Sequence, residues 1–257
     1  MSEPLVLPIK SQYMPHTLFI ADLHLSPARQ DITDCFLRFM AEEAVHADAL
    51  YVLGDLFEAW IGDDDHSPFH QQIKTAFATL TQQGVPVYFI HGNRDFLIGK
   101  RFARETGITL LDEHTCIDLY DTPTLILHGD TLCLADADYQ AFRRKVHQPW
   151  LQRLFLCLPL TWRRKIAAKM RAGSANANQQ KSSTIMDVTP QEVQRQLDNA
   201  GVVNMIHGHT HRPHVHQWCD QGHDYQRIVL GDWYQHGSVL VCGPQGCDLQ
   251  TRDFIHH

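Results

Sequence analysis

Five short apolar runs recur along the chain, at residues 17–21, 50–53, 87–90, 124–127 and 203–206. They are apolar on both faces rather than alternating, the pattern of central strands covered on two sides. Between the first three runs lie helical spacings: Phe36, Phe39 and Met40 mark one helix, and Phe69, Ile73, Ala76, Phe77 and Leu80 a second. The second is opened by Ser67-Pro68 and closed by Gly84. Alternating strands and helices predict a layered α/β core. Further on, Thr189-Pro190-Gln191-Glu192 reads as a capping box, Val193 and Leu197 as the apolar stripe behind it, and Gly201 as the stop. The runs 214–218, 226–230, 237–241 and 248–254 predict antiparallel strands closing a second sheet.

The stretch 139–186 breaks this rhythm. Tyr139, Phe142, Val146 and Trp150 keep helical spacing until Pro149 interferes, and residues 154–160 are dense in large apolar side chains. Trp162, Ile166 and Met170 then line one helical face while Arg163, Arg164, Lys165, Lys169 and Arg171 take the rest, a basic amphipathic helix of the kind that lies on anionic membranes. The small, polar segment 172–183 predicts a loop. Residues 136–184 therefore read as a helical, basic and apolar lid inserted into a core of 17–135 and 185–257, with 1–16 as an N-terminal extension.

Composition sharpens that division. The net charge of −7 argues against nucleic-acid binding, yet residues 139–186 contain ten of the 22 Lys and Arg and no Asp or Glu. No signal segment or membrane-spanning run is visible, so a cytoplasmic protein is expected. The seven cysteines, odd in number and without a C-x-x-C pair, predict reduced core thiols rather than a disulfide or zinc framework.

The chemistry stands just after the five apolar runs. The first is followed by Asp22 and His24, the second by Asp55, the third by Asn93, the fourth by His128, and the fifth by His209 and His211. Open α/β sheets place their sites at the carboxyl ends of strands, where loops converge on a rigid frame. Taken singly, an Asp or Asn after a strand is an ordinary turn residue and His128 an ordinary core histidine. His209 and His211, at i and i+2, point the same way and have no packing purpose. Seven such ligands with one shared carboxylate make two four-ligand metal sites, the arrangement used for phosphoester displacement. Oxygen and imidazole donors without thiolate suit manganese, iron or zinc; two Mn²⁺ are the expectation, with zinc or iron as alternatives. The acidic triplet Asp63-Asp64-Asp65 is tied to no strand end and is expected to be a solvated loop. His91 and His207, each preceding a motif glycine, are read either as partners of ligands or as core histidines.

In order and spacing, Asp22-x-His24, Gly54-Asp55, Gly92-Asn93, His128 and Gly208-His209-x-His211 resemble the calcineurin-like metallophosphoesterase signature. The resemblance implies an α/β fold, a four-layer αββα sandwich of two mixed sheets with a dinuclear site. Carried over by position, Asp55 bridges, Asp22, His24 and His211 complete one half, and Asn93, His128 and His209 the other. Where most of that family has His after the Asn, commonly assigned to protonating a leaving group, this chain has Arg94. A guanidinium stays ionised and grips phosphate with two parallel hydrogen bonds. That suits a pyrophosphate, whose leaving phosphate needs a positive clamp more than an acid.

With Arg94, the stretches LGDLFEAWIGDDD, FIHGNRDFLIGKRFARETG and YQAFRRKVHQPWLQ are similar to the branch of that family acting on a diacylated sugar nucleotide in lipid A synthesis. The similarity implies a hydrolase that cleaves the pyrophosphate of UDP-2,3-diacylglucosamine to UMP and 2,3-diacylglucosamine 1-phosphate by water attack on the α-phosphorus. It implies Asn93, Arg94 and His209 as catalytic and substrate-binding residues, and Asp136, Ser174, Asn178 and Lys181 as contacts to the glucosamine and phosphate end, to which we add Tyr139. It also implies a monomer peripheral on the cytoplasmic face of the inner membrane. Two other readings are a general phosphodiesterase or phosphatase on a soluble substrate and a non-catalytic metal-binding scaffold.

Overall fold

The computed structural model describes residues 14–180 and 187–254; most of the N-terminal extension, residues 1–13, lies outside them. In chain order the elements are β1 (Thr17–Ile20), α1 (Gln30–Glu42), β2 (Ala49–Val52), α2 (Pro68–Gln82), β3 (Val87–Phe89), α3 (Lys100–Thr106), β4 (Thr109–Leu110), β5 (His114–Asp118) and β6 (Pro123–Leu127). There follow α4 (Ala137–Val146), α5 (Pro149–Leu156), α6 (Leu160–Gln180), α7 (Pro190–Ala200), β7 (Asn204–His207), β8 (His214–Asp220), β9 (His223–Val229), β10 (Gly237–Gly243) and β11 (Gly246–Arg252).

Two sheets face each other, one ordered β11-β10-β1-β2-β3-β4 and the other β5-β6-β7-β9-β8. Period-two alternation on β1 explains why the apolar runs carry no polar face. Leu18 and Ile20 point to the core under α1, α2 and α3, whereas Phe19 and Ala21 point between the sheets to meet Ile126, Ile206 and Leu240. On the outer side of the second sheet, Leu125, Leu127 and Met205 pack against Val193 and Leu197 of α7. Helices, sheet, sheet and helix give the four-layer αββα sandwich, with two mixed sheets.

Several local expectations are corrected. The four late strands do not close one sheet. β8 and β9 join the second sheet, β9 lying parallel to β7, while β10 and β11 complete the first. Burial decides the placement: Ile228 and Val229 of β9 need cover on both sides, and the mostly exposed β8 takes the edge. β4 and β5, too short or too polar for a periodicity signal, complete the two sheets. The pairing of β10 with β11 sets Cys242 opposite Cys247, and the two form a disulfide. Of the cysteines outside that bridge, Cys35 and Cys133 are buried whereas Cys116, Cys157 and Cys219 are exposed, so reduced core thiols describe two of the seven.

The capping box does not form either. Thr189 makes no side-chain cap; α7 starts with Pro190 in its first turn and with the backbone N–H groups of Glu192 and Val193 donating to Thr189 O. The Glu192 carboxylate is taken instead by Arg195, at 2.7 and 2.6 Å. By contrast Ser67 does cap α2, accepting from His70 N at 3.4 Å. The expected loop over 172–183 is helical as far as Gln180. Its Ala and Gln residues are strong helix formers, and Gly173 costs only about 1 kcal/mol, too little to break a helix already running from Leu160.

Candidate metal centre

Strands β1, β2 and β3 run parallel in one sheet, as do β6, β7 and β9 in the other. Their carboxyl ends meet at one edge of the sandwich, and all seven candidate ligands are delivered there. The turns are stitched across the sheets: Asp22 N donates to Gly54 O at 3.1 Å, His24 N to Asp55 O at 3.0 Å, Gly208 N to His128 O at 2.8 Å, and His209 N to Asp22 Oδ2 at 2.7 Å. Asp22, His24, Asp55, His209 and His211 all have positive φ, between 50° and 71°. Non-glycine residues rarely hold that conformation, and five at one edge mark strain kept in order to aim side chains.

The glycines before the donors are fixed by close approach. A Cβ on Gly208 would collide with the Asp22 carboxylate, and one on Gly92 with Asp55. Gly208→Ala should therefore displace Asp22 and weaken metal binding by about 10- to 100-fold, as disturbed ligand support does. Metal titration of the folded variant checks this, and unchanged affinity would contradict it.

Two donor groups emerge, Asp22 with His24 and His211, and Asp22 with Asp55 and His128. Asp55 reaches towards both halves, with Oδ2 3.9 Å from His24 Nε2 and Oδ1 3.8 Å from His128 Nε2. One amide oxygen, Asn93 Oδ1, lies 3.0 Å from both His128 Nε2 and His209 Nδ1. The Nε2 atoms of His24 and His211 stand 3.4 Å apart, and the buried Asp22 Oδ1, 3.4 Å from His211 Nε2, has no hydrogen-bond partner. Polar atoms left facing one another without partners fit a divalent cation among them, and the donor types are those such cations take.

The imidazoles are also aimed from behind. His128 Nδ1 donates to Leu53 O at 2.8 Å, leaving Nε2 for the centre. His211 Nδ1 lies 3.3 Å from Asp232 Oδ2, and His24 Nδ1 lies 3.6 Å from Glu58 Oε2 with the Tyr234 ring stacked on it at 5.3 Å. Asp232, Glu58 and Tyr234 were missed by sequence reasoning. Asp232 had a signal: Gly231-Asp232 follows β9 as Gly54-Asp55 follows β2. His91 and His207 bond instead to Ile98 O and Gly208 O, both at 2.7–2.8 Å, and act as structural histidines.

Protons and metal compete for these atoms. Burial alone would depress His128, but Asp55 and Asp22 beside it push it up to about 9. Burial likewise opposes charge on His211, yet the Asp22 and Asp232 carboxylates, 3.4 and 3.3 Å from its two ring nitrogens, raise it to about 10. Both must lose that proton to ligate, so metal binding should release about two protons near neutral pH, and apparent affinity should rise with pH towards 9. Calorimetry in two buffers of different ionisation enthalpy tests this; identical heats would contradict it.

Arg94 stands at the rim. Its backbone N–H donates to Asp55 Oδ1 at 2.8 Å, its carbonyl accepts from Trp60 N at 2.9 Å, and its buried Nε has no partner. Asp136 caps α4, accepting from Tyr139 N at 3.0 Å. The Tyr139 ring lies 6.0 Å from that of His209, with its hydroxyl donating to Asp130 at 2.6 Å. Ser174 and Asn178 stand in the second half of α6, and Lys181 lies outside the described residues. The acidic triplet is not a solvated loop. Asp63 accepts from the backbone N–H groups that open α3, and Asp64 and Asp65 pair with Arg163 and Arg164. Arg143, Arg163, Arg164 and Arg171 of the basic stretch are thus turned to core carboxylates, because charges left unpaired beside the core would be costly.

The chain belongs to the calcineurin-like phosphoesterase family, whose profile matches residues 15–213, a family that works with divalent metal ions. Within that class it belongs with proteins named UDP-2,3-diacylglucosamine hydrolase. It is 66% identical to the one from Photobacterium profundum, over 93% of this chain and 97% of that relative. It is 57% identical to the Vibrio parahaemolyticus protein of that name, over 93% and 98%, and 58% identical to that of Serratia proteamaculans, over 91% and 98%.

Proposed function

We propose that the chain hydrolyses UDP-2,3-diacylglucosamine at its pyrophosphate bond, giving UMP and 2,3-diacylglucosamine 1-phosphate in lipid A synthesis. The observation that carries this reading is the unpartnered buried Nε of Arg94 beside the candidate metal centre, which fits a P–O–P group; the relatives' name supplies the substrate. Asp22, His24 and His211, with Asn93, His128 and His209 opposite and Asp55 between, would hold two Mn²⁺. Divalent cations there supply an acidified water and positive charge for phosphoryl oxygens. Arg94 grips the departing phosphate, Asn93 and His209 orient the α-phosphate, and Asp136, Tyr139, Ser174, Asn178 and Lys181 meet the sugar-phosphate end. No acid residue need protonate the leaving group.

The insertion 136–184 acts as the lid over the acyl chains. Trp150, Leu154 and Trp162 are 57–64% exposed beside the exposed Arg153, Lys165 and Lys169. Such a face supports peripheral contact with the cytoplasmic leaflet of the inner membrane, made by a monomer. No helix among the described residues is long and apolar enough to cross a membrane.

Product analysis in ¹⁸O-enriched water with Mn²⁺, with and without EDTA, tests the proposal. Metal-dependent UMP carrying the label is expected. Turnover of bis(p-nitrophenyl) phosphate without turnover of the lipid nucleotide would move the substrate to a soluble diester.

A further inference from the structure

The loop leaving the centre after Asp55 ends in a socket for one guanidinium of the insertion. Arg163 of α6 is 2% exposed. Its Nη1 donates to Ile61 O at 2.7 Å and to Asp64 Oδ1 at 2.8 Å, its Nε donates to Leu158 O at 2.9 Å, and Nη2 pairs with Asp64 Oδ2. Gly62, with φ +134°, makes the space, since a Cβ there would overlap Nη1.

Hydrophobic packing does little to hold this part of the chain, because neither α4 nor α5 has a buried residue. What fixes it is a set of ion pairs to the core: Arg143 with Asp130, Arg163 with Asp64, Arg164 with Asp65, and Arg171 with Glu58. Among these, Arg163 is the fully buried guanidinium, and its two-nitrogen fork fixes direction as well as distance.

We propose that the Arg163–Asp64 pair is the latch that sets the lid in register over the metal centre, making Arg163 a positioning residue for the lipid nucleotide over small phosphodiesters. The substrate half of this inference rests on the function proposed above. A small diester needs the metal centre alone. A substrate with two acyl chains also needs the lid walls placed correctly, and misplacement by about an ångström far from the chemistry is costly.

The test uses the full metal-loaded chain carrying Arg163→Met, Arg163→Lys or Asp64→Asn. Asp64 is half exposed and turns to water when its partner is replaced, and Met keeps most of the side-chain volume in the socket, so these variants should preserve the fold. For Arg163→Met, kcat/KM on UDP-2,3-diacylglucosamine should fall about 10- to 100-fold, chiefly through KM, while that on bis(p-nitrophenyl) phosphate stays within about threefold. Bound Mn²⁺ should be unchanged, hydrogen exchange in α5 and α6 should quicken while β1 and β2 stay protected, and Lys should rescue in part. Equal loss on both substrates, or faster exchange without the split between them, overturns the specificity role; unchanged exchange overturns the latch. If the unaltered chain does not turn over the lipid nucleotide, the proposed substrate fails while the exchange result still decides the latch.

Discussion

Asp55→Ala is expected to abolish turnover and to strip both halves of the metal centre. Asp55 is 2% exposed and presents one oxygen towards His24 and the other towards His128, so its loss takes a donor from both halves at once, Asp22 alone remaining common to the two groups. The loss should not be a folding defect. Burial lifts the Asp55 carboxyl to about 7. Its folded value lies above the ordinary 3.8, so ionising it opposes folding of the metal-free chain, and that destabilisation grows as pH rises from about 4 through 7. Asp55→Asn should then be at least as stable as the metal-free parent at pH 8 while binding metal poorly. Elemental analysis and thermal melts of the same preparations separate the effects. A variant that keeps two metals, or full activity, would remove Asp55 from the bridging position.

Arg94→Ala should behave in the opposite way, with metal content intact and the rate on the lipid nucleotide reduced by about 10²- to 10³-fold, the range for a lost donor to developing charge. Metal content survives because the link from this residue to the donor set is its backbone N–H to Asp55 Oδ1, which alanine retains. Arg94→Lys should restore little, since an ammonium cannot reproduce the two-pronged grip. Single-turnover kinetics beside metal analysis decide the matter. A metal-free Arg94→Ala protein would show that the side chain supports the centre, and an unaffected rate would show that it does not touch the transferring group.

Local chemistry was enough to single out the seven candidate donors. Each follows an apolar strand, and a strand end in an α/β sheet is a position in space as well as in sequence. The layered fold was legible for the same reason, since strands such as β1 that are apolar on both faces imply cover on both sides. Pairing between distant segments was not legible. Nothing local distinguishes β9, which enters beside β7, from β10, which crosses to β1, because the choice depends on which sheet still lacks a buried neighbour. The Cys242–Cys247 bridge follows from that hairpin register and was invisible without it. Charge was legible only in part. Arg143, Arg163, Arg164 and Arg171 of the insertion read as part of a basic surface because their partners, Asp130, Asp64, Asp65 and Glu58, lie 13 to 113 residues away along the chain. Sequence therefore determined at which strand ends the seven candidate donors stand. Tertiary structure decided which charges are spent on one another, because a carboxylate and a guanidinium select partners by distance in space, and that distance is set once the sheets have packed.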